Sequence, residues 1–244
     1  MKKQPARVAV LLIGNEILTG KVQDQNGFEA AKQLRKAGIV LCEIRAVCDK
    51  EDDIIYNVRD LTKRNQYIIT SGGLGPTHDD VTIRSLALAI NDNVIFFPDM
   101  LEKLKIGYGK RFTPAVEKMA YLPSRAQIIM TKKIEWPLIK IDNIFLLPGI
   151  PQLFKKKLKG VCDILAGQRV YIEELFLDID EAQIAEQLSL INNKYEKVEI
   201  GSYPVWGNPQ YRLKLTFESV ELNDIQNAVN EFKEKFPENI FIKM

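Results

Sequence analysis

Residues 70–80 read Thr-Ser-Gly-Gly-Leu-Gly-Pro-Thr-His-Asp-Asp, directly after the apolar run Tyr67-Ile68-Ile69. Gly72, Gly73 and Gly75 permit backbone conformations that turn successive N–H groups toward one point, and the helix expected next adds partial positive charge at its start. That chemistry suits a phosphate, with Ser71, Leu74, Thr77 and His78 beside it. A plain surface turn is the competing reading, because glycine-rich turns commonly follow strands. Asp79 and Asp80 also have two readings. One carboxylate is expected to cap the helix that starts near Val81. The other suits a hard divalent cation such as Mg²⁺, which takes oxygen ligands and bridges carboxylate to phosphate. His78 is the only histidine of the chain, with no suitably spaced cysteine, which speaks against zinc; general base, phosphate donor and surface residue stay open. No Ser-His-Asp arrangement is readable around Ser71 or Thr77, so nucleophilic catalysis has no support.

These residues need a frame that brings them to one edge. Arg7–Ile13 (RVAVLLI) is continuously apolar and β-branched, the pattern of a strand buried on both faces and hence of a parallel sheet. Asn26 starts a helix to about Ala37 as its cap, or else contacts a ligand, and Gly38 ends that helix. Val40–Val47 reads as the second strand. The acidic run from Asp49 favours a helix to about Lys63, and Tyr67–Thr70 is the third strand. Val81–Ile90 reads as a helix, Val94–Phe97 as a strand, and Asp99–Ala120 as interrupted helix. A hairpin turns at Asp142-Asn143 between residues 138–141 and 144–147. Pro148-Gly149-Ile150-Pro151 then opens a helix to about Leu165, whose amino end could face an anion. Strand–helix alternation of this kind predicts a doubly wound α/β sheet covered on both faces. Such sheets bind ligands outside the carboxyl ends of their strands. The loop Gly14–Gly20 after the first strand and the loop Ser71–Asp80 after the third then face the same crevice, where Glu16, Asp79 and Asp80 are free to converge.

A boundary near Gly167 sets residues 1–167 apart from residues 168–244. There a β-α-β-β-α-β order ending at Ile240–Lys243 predicts a small α+β unit. Tyr203 and Trp206 either close its core or stack on a flat ring. The Lys155-Lys156-Lys157 run with Lys159 reads as a solvated helix face.

Composition narrows the classes. The chain has 244 residues, 46% hydrophobic and 27% charged, which is ordinary globular composition. A net charge of +2, from 34 Lys and Arg against 32 Asp and Glu, gives no electrostatic case for nucleic acid. No apolar stretch is long enough for a membrane span or signal segment. Cys42, Cys48 and Cys162 form neither a disulfide framework nor a thiolate metal site by spacing, so a cytoplasmic setting is the default.

As an ordered set, Gly14-Asn15-Glu16-Ile17-Leu18-Thr19-Gly20, Asp24-Gln25-Asn26, the run Gly72 to Thr82, and Leu147-Pro148-Gly149-Ile150-Pro151 resemble the CinA amino-terminal family with its molybdopterin-binding-like domain. "GPTHDDVT", "WPLIKIDNIFLLPGIPQLF" and "GSYPVWGNPQYRLKLTF" resemble the amino-terminal part of eukaryotic-type FAD synthases more than bacterial CinA. The resemblance runs from about Arg7 to Lys243. It implies a three-layer α/β domain with a small second domain, and metal-dependent hydrolysis of a dinucleotide pyrophosphate such as FAD or ADP-ribose, with release of AMP. The acids expected to catalyse and to hold the metal are Asp79, Asp80 and Glu16. The expected substrate contacts are Gly14, Asn15, Asn26, Ser71, Gly72, Gly73, Leu74, Gly75, Thr77, His78, Arg84, Pro148 and Gly149. Mg²⁺ or Co²⁺, with K⁺ as a further candidate, is the expected cofactor set, a small nucleotide or pterin the expected ligand, and a homo-oligomer the expected assembly. Because the chain stops at Met244, the adenylyl-transferring part of FAD synthases is absent from it and FAD synthesis by this chain alone is not expected. Two departures make the site less negative than the family pattern: Asn15 stands where an aspartate is usual, and Arg84 where a glutamate is usual. They favour a weakened metal site, a phosphate-clamping Arg84, or a member that binds without hydrolysing. A purely structural role is the third alternative.

Overall fold

The first strand, β1 (Arg7–Ile13), is buried at six of its seven residues and feeds two cores by strict alternation. Val8, Val10 and Leu12 point to one side, and Ala9, Leu11 and Ile13 to the other. This is why its sequence reads as an unbroken apolar run. The computed structural model describes residues 5–131 and 134–242, and the chain divides into two compact units, Met1–Gly167 and Gln168–Met244.

In unit 1, β1 is followed by the short helix α1 (Asn15–Leu18), α2 (Asn26–Lys36), β2 (Val40–Val47), α3 (Glu51–Arg64), β3 (Tyr67–Ser71) and α4 (Thr82–Ala89). Then come β4 (Val94–Phe96), α5 (Pro98–Tyr108), α6 (Pro114–Glu117), β5 (Tyr121–Pro123), β6 (Ala126–Thr131), β7 (Ile134–Ile141), β8 (Ile144–Leu147) and α7 (Pro151–Leu165). The main sheet has the order β2-β1-β3-β8-β7-β6. The first four of these strands run parallel, while β7 and β6 are antiparallel additions. The core on one face packs α2 through Ala30 and Leu34 and α7 through Phe154, Leu158 and Val161. The other packs α3 through Ile54, Val58 and Leu61, α4 through Leu86, and α5 through Met100 and Leu104. Helices therefore cover both faces, the three-layer arrangement expected of a doubly wound sheet.

Local chemistry sets the element ends. Helix α3 opens on Glu51, Asp52 and Asp53 and closes on Lys63 and Arg64, matching its macrodipole. Pro151 sits at the first turn of α7. Strands β5 and β6 go beyond the sequence-based expectation, which held no strand between Phe97 and Leu138. Strand β5 pairs non-locally with β4 in a separate two-stranded sheet, whereas β6 pairs with β7, the next strand of the chain.

Unit 2 runs β9 (Tyr171–Leu177), α8 (Glu181–Lys194), β10 (Glu199–Pro204), β11 (Leu213–Ser219), α9 (Leu222–Lys233) and β12 (Phe241–Ile242). Its sheet order is β10-β11-β9-β12, antiparallel throughout. The expected last strand extended to Lys243, which lies outside the described residues. Its core is built from Leu175, Leu177, Ile184, Leu213, Leu215, Phe217 and Phe232, among others. Trp206 takes no part in it: its side chain is 97% exposed on the loop after β10, so the core-closing reading of Trp206 does not hold. Among the described residues no helix is long and apolar enough to cross a membrane.

Candidate functional site

Three parallel strands end together. Leu12 of β1 lies opposite Ser71 of β3, and Ser71 opposite Leu147 of β8. The Gly14–Gly20 loop, the Ser71–Asp80 loop and the Pro148-Gly149 turn therefore leave from one edge. Since β2 lies on one side of β1 and β3 on the other, this edge is the point where strand order reverses, the position at which open α/β sheets take ligands.

Gly72 is the seam of that edge. Its N–H donates to the Leu147 carbonyl at 3.1 Å. Its φ of +109° belongs to glycine, and a Cβ there would collide with the Ile13 carbonyl oxygen at the end of β1. The turn after β8 packs just as closely, with a Cβ on Gly149 falling 3.4 Å from the Gly72 Cα. Asn26 adds a side-chain stitch. Its Nδ2 donates to the Ser71 Oγ at 2.9 Å and to the Gly149 carbonyl at 2.7 Å, and the residue is 6% exposed. A carbonyl only accepts, so the amide orientation is fixed, and the buried Asn26 Oδ1 is left without a partner. The capping role expected for Asn26 is corrected here. Helix α2 is capped by Asp24, whose carboxylate accepts from the N–H groups of Asn26 at 2.9 Å and Gly27 at 3.1 Å. Asn26 is instead turned toward partners 45 and 123 residues away.

Beyond Gly72 the loop is shaped by its own side chains. The buried Thr82 hydroxyl donates to the Gly72 carbonyl at 3.1 Å and its N–H to the Gly73 carbonyl at 3.2 Å. Gly73, at φ +64°, leaves no room for a Cβ beside that hydroxyl. Leu74, partly buried, packs its side chain against the core lined by α3 and α4. The N–H groups of Gly73, Leu74 and Gly75 donate to no group among the described residues. Three consecutive unused amides at a strand end form a donor set for an anion. Neither aspartate caps α4, whose N-cap is Val81 without a side-chain bond. Asp80 turns back and accepts the Thr77 N–H at 2.8 Å and the Thr77 hydroxyl. Thr77 has a single hydroxyl proton, and the hydrogen-bond geometry gives it to Asp80. The side chain of His78 is fully in solvent, 4.0 Å from Asp79.

The remaining expected residues sit apart. The Glu16 carboxylate folds back over Gly14, where a Cβ would come within 2.5 Å of it. The Asn15 N–H donates to Asp49 at 2.9 Å. Arg84 pairs with Glu51 of α3, Nε to Oε2 at 3.0 Å, instead of turning to the glycine loop. Among the described residues, no group of three or more His, Cys, Asp or Glu side chains stands close enough to hold a metal ion. A cation held by Glu16 with Asp79 or Asp80 would have to draw its further ligands from phosphate and water, as Mg²⁺ commonly does. Sequence reasoning missed Thr82 and Asp49 as shapers of the two loops; a hydroxyl at the start of a helix and an acid just past a strand end were the available signals. Unit 2 carries two open depressions, about 280 Å³ beside Tyr195 and about 630 Å³ beside Phe236 and Phe241.

A glycine loop with unused amides at the reversal point of a doubly wound sheet defines a ligand-binding α/β domain. Residues 9–167 match the family described as "Probable molybdopterin binding domain", and the chain belongs to it; residues 169–244 match "FAD synthase, middle domain". A "Probable FAD synthase" of Caenorhabditis elegans is 30% identical over 259 residues, covering 95% of this chain and 50% of its own length. A "CinA-like protein" of Prochlorococcus marinus is 28% identical over 253 residues, covering 96% of this chain and 59% of its own. This chain thus spans about half the length of such curated relatives. The crystal structure of CinA from Thermoplasma acidophilum, a protein of unknown function, aligns with a TM-score of 0.60 at 27% identity, over 67% of this chain and 99% of that one.

Proposed function

We propose that unit 1 binds the diphosphate of a dinucleotide of the FAD or ADP-ribose class and hydrolyses it, releasing AMP. The observation that carries the binding step is the run of unused N–H groups at Gly73, Leu74 and Gly75, placed at the reversal point of the sheet. Similarity to proteins called probable FAD synthases supports the flavin–adenine class. Asn26, through Ser71 and Gly149, keeps the neighbouring strand ends in register beside those amides. Asp79, whose carboxylate is exposed, is an acid placed to meet water or ligand. A divalent cation here would be held by Glu16 with Asp79 together with the ligand's own phosphates, and would neutralise charge on the bridging oxygen.

That same observation favours a second reading, in which the site holds a nucleotide or a pterin without cleaving it. One experiment separates the two. The purified chain is incubated with FAD or ADP-ribose, in EDTA and with Mg²⁺, Co²⁺ or K⁺, while AMP release is followed and thermal stability recorded. Hydrolysis predicts AMP. Binding alone predicts a raised apparent stability without AMP, since a ligand that binds only the folded state must stabilise it. Neither signal with any ligand removes both readings.

A further inference from the structure

The carboxylate of Asp80 is engaged inside the loop. Its Oδ2 accepts the Thr77 N–H at 2.8 Å and the Thr77 hydroxyl, while the Asp80 N–H returns a bond to the Thr77 carbonyl at 3.3 Å. The same carboxylate lies over Gly75, where a Cβ would come within 2.6 Å of Oδ2. Residues 77–80 thus form a closed ring immediately after the three unused amides, and Gly75 is the residue that lets the ring close. Asp79 points elsewhere and is exposed. We propose that Asp80 is a positioning residue that fixes the Gly73–Gly75 amides toward the ligand through Thr77, and that it does not ligate a metal ion. This assignment rests on reading those amides as the diphosphate site.

The two roles differ in what they require. Holding Thr77 needs an acceptor oxygen in one place, which an amide side chain also supplies; binding a cation needs the negative charge. Asp80→Asn therefore separates them, with Asp80→Ala and Thr77→Val as controls. Hydrogen exchange over residues 73–81 is measured in EDTA, followed by calorimetric titration of ADP-ribose, first in EDTA and then with Mg²⁺. Loss of two hydrogen bonds to a charged acceptor predicts exchange faster by about fivefold or more in Asp80→Ala, against about twofold or less in Asp80→Asn. Affinity for ADP-ribose in EDTA is expected to fall about tenfold in Asp80→Ala and to stay within about threefold in Asp80→Asn. Combining Thr77→Val with Asp80→Ala should weaken binding no further than Asp80→Ala alone, because both remove one unit. Unchanged exchange in Asp80→Ala overturns the assignment. So does an Asp80→Asn variant as weak as Asp80→Ala with the loss confined to Mg²⁺. If the unaltered chain binds no ADP-ribose, the diphosphate reading fails, while the exchange rates still decide whether Asp80 holds the loop.

Discussion

The loops after β1 and β3 leave adjacent parallel strands at the same edge, both carry glycines, and different groups hold their shapes. After β1, the Gly14 N–H goes to the Val47 carbonyl, the Asn15 N–H to Asp49, the Val22 N–H to the Glu16 carbonyl, and the Glu16 carboxylate closes over Gly14. After β3, side chains hold the shape: Thr82 takes the carbonyls of Gly72 and Gly73 into account, Asp80 ties Thr77, and the amides between stay unused. A backbone donor bonded within its own chain has nothing left for a ligand. Glycine content alone therefore does not mark an anion site; what marks it is which groups satisfy the loop's amides. The proposed diphosphate site lies in the second loop, where the amides of Gly73, Leu74 and Gly75 are consecutive and unused; in the first loop the N–H groups of Glu16 and Ile17 likewise have no acceptor among the described residues.

The strongest way to break this contrast is at Gly72. Gly72→Ala forces a side chain into φ +109° and against the Ile13 carbonyl, so a loss of about 3 kcal/mol or more is expected in urea unfolding. Gly20→Ala, in the first loop at φ +69° with nothing within 4 Å of a Cβ, should lose only about 1 kcal/mol. Equal losses would mean that the three strand ends are not stitched through Gly72. Next comes Asn26. Asn26→Ala strips donors from the Gly149 carbonyl and Ser71 while also removing the unpartnered Oδ1, for a net cost of about 1–2 kcal/mol. Asn26→Asp faces the Gly149 carbonyl with a second acceptor and should be less stable than Asn26→Ala at neutral pH; the reverse order would show that Asn26 does not donate to that carbonyl.

How far the site was legible follows from the range of the interactions involved. Residues 7–13, 40–47 and 144–147 announce their strands, and 151–165 its helix, because apolar runs, Pro151 and the turn at Asp142-Asn143 are local signals. Asp142 does adopt positive φ, +50°. Asn26 looked like a cap because helix starts favour asparagine, yet the cap is Asp24 two residues earlier, and Asn26 faces Ser71 and Gly149. Asp79 and Asp80 were equally misleading as caps: a Thr77 hydroxyl three residues back outcompetes the helix start for Asp80. No periodicity encodes such pairings. Convergence of Glu16 with the aspartates is not legible in the sequence for a related reason, since sharing an edge of the sheet says nothing about where a flexible carboxylate folds.

The contrast between the loops can be sharpened by two smaller effects. Glu16→Gln changes only a side chain of the first loop, so if the second loop alone grips the diphosphate, ADP-ribose affinity is expected to stay within about twofold; a larger drop would bring the first loop into the site. Arg84 is the finer test, because its position two residues after Thr82 invites a phosphate role. Its partner Glu51 sits 3.0 Å away, and the Arg84 side chain is 76% exposed. Exposed pairs of this kind contribute roughly 0.5 kcal/mol or less, so Arg84→Gln should leave stability nearly unchanged. If the amides alone grip the diphosphate, it should also leave ADP-ribose affinity and its salt dependence as they were. Glu51→Gln releases the guanidinium from its partner. Should that variant bind ADP-ribose more tightly and with a steeper salt dependence, while Arg84→Gln binds it more weakly, then the ion pair competes with the ligand and the second loop works with a borrowed charge as well as with its backbone.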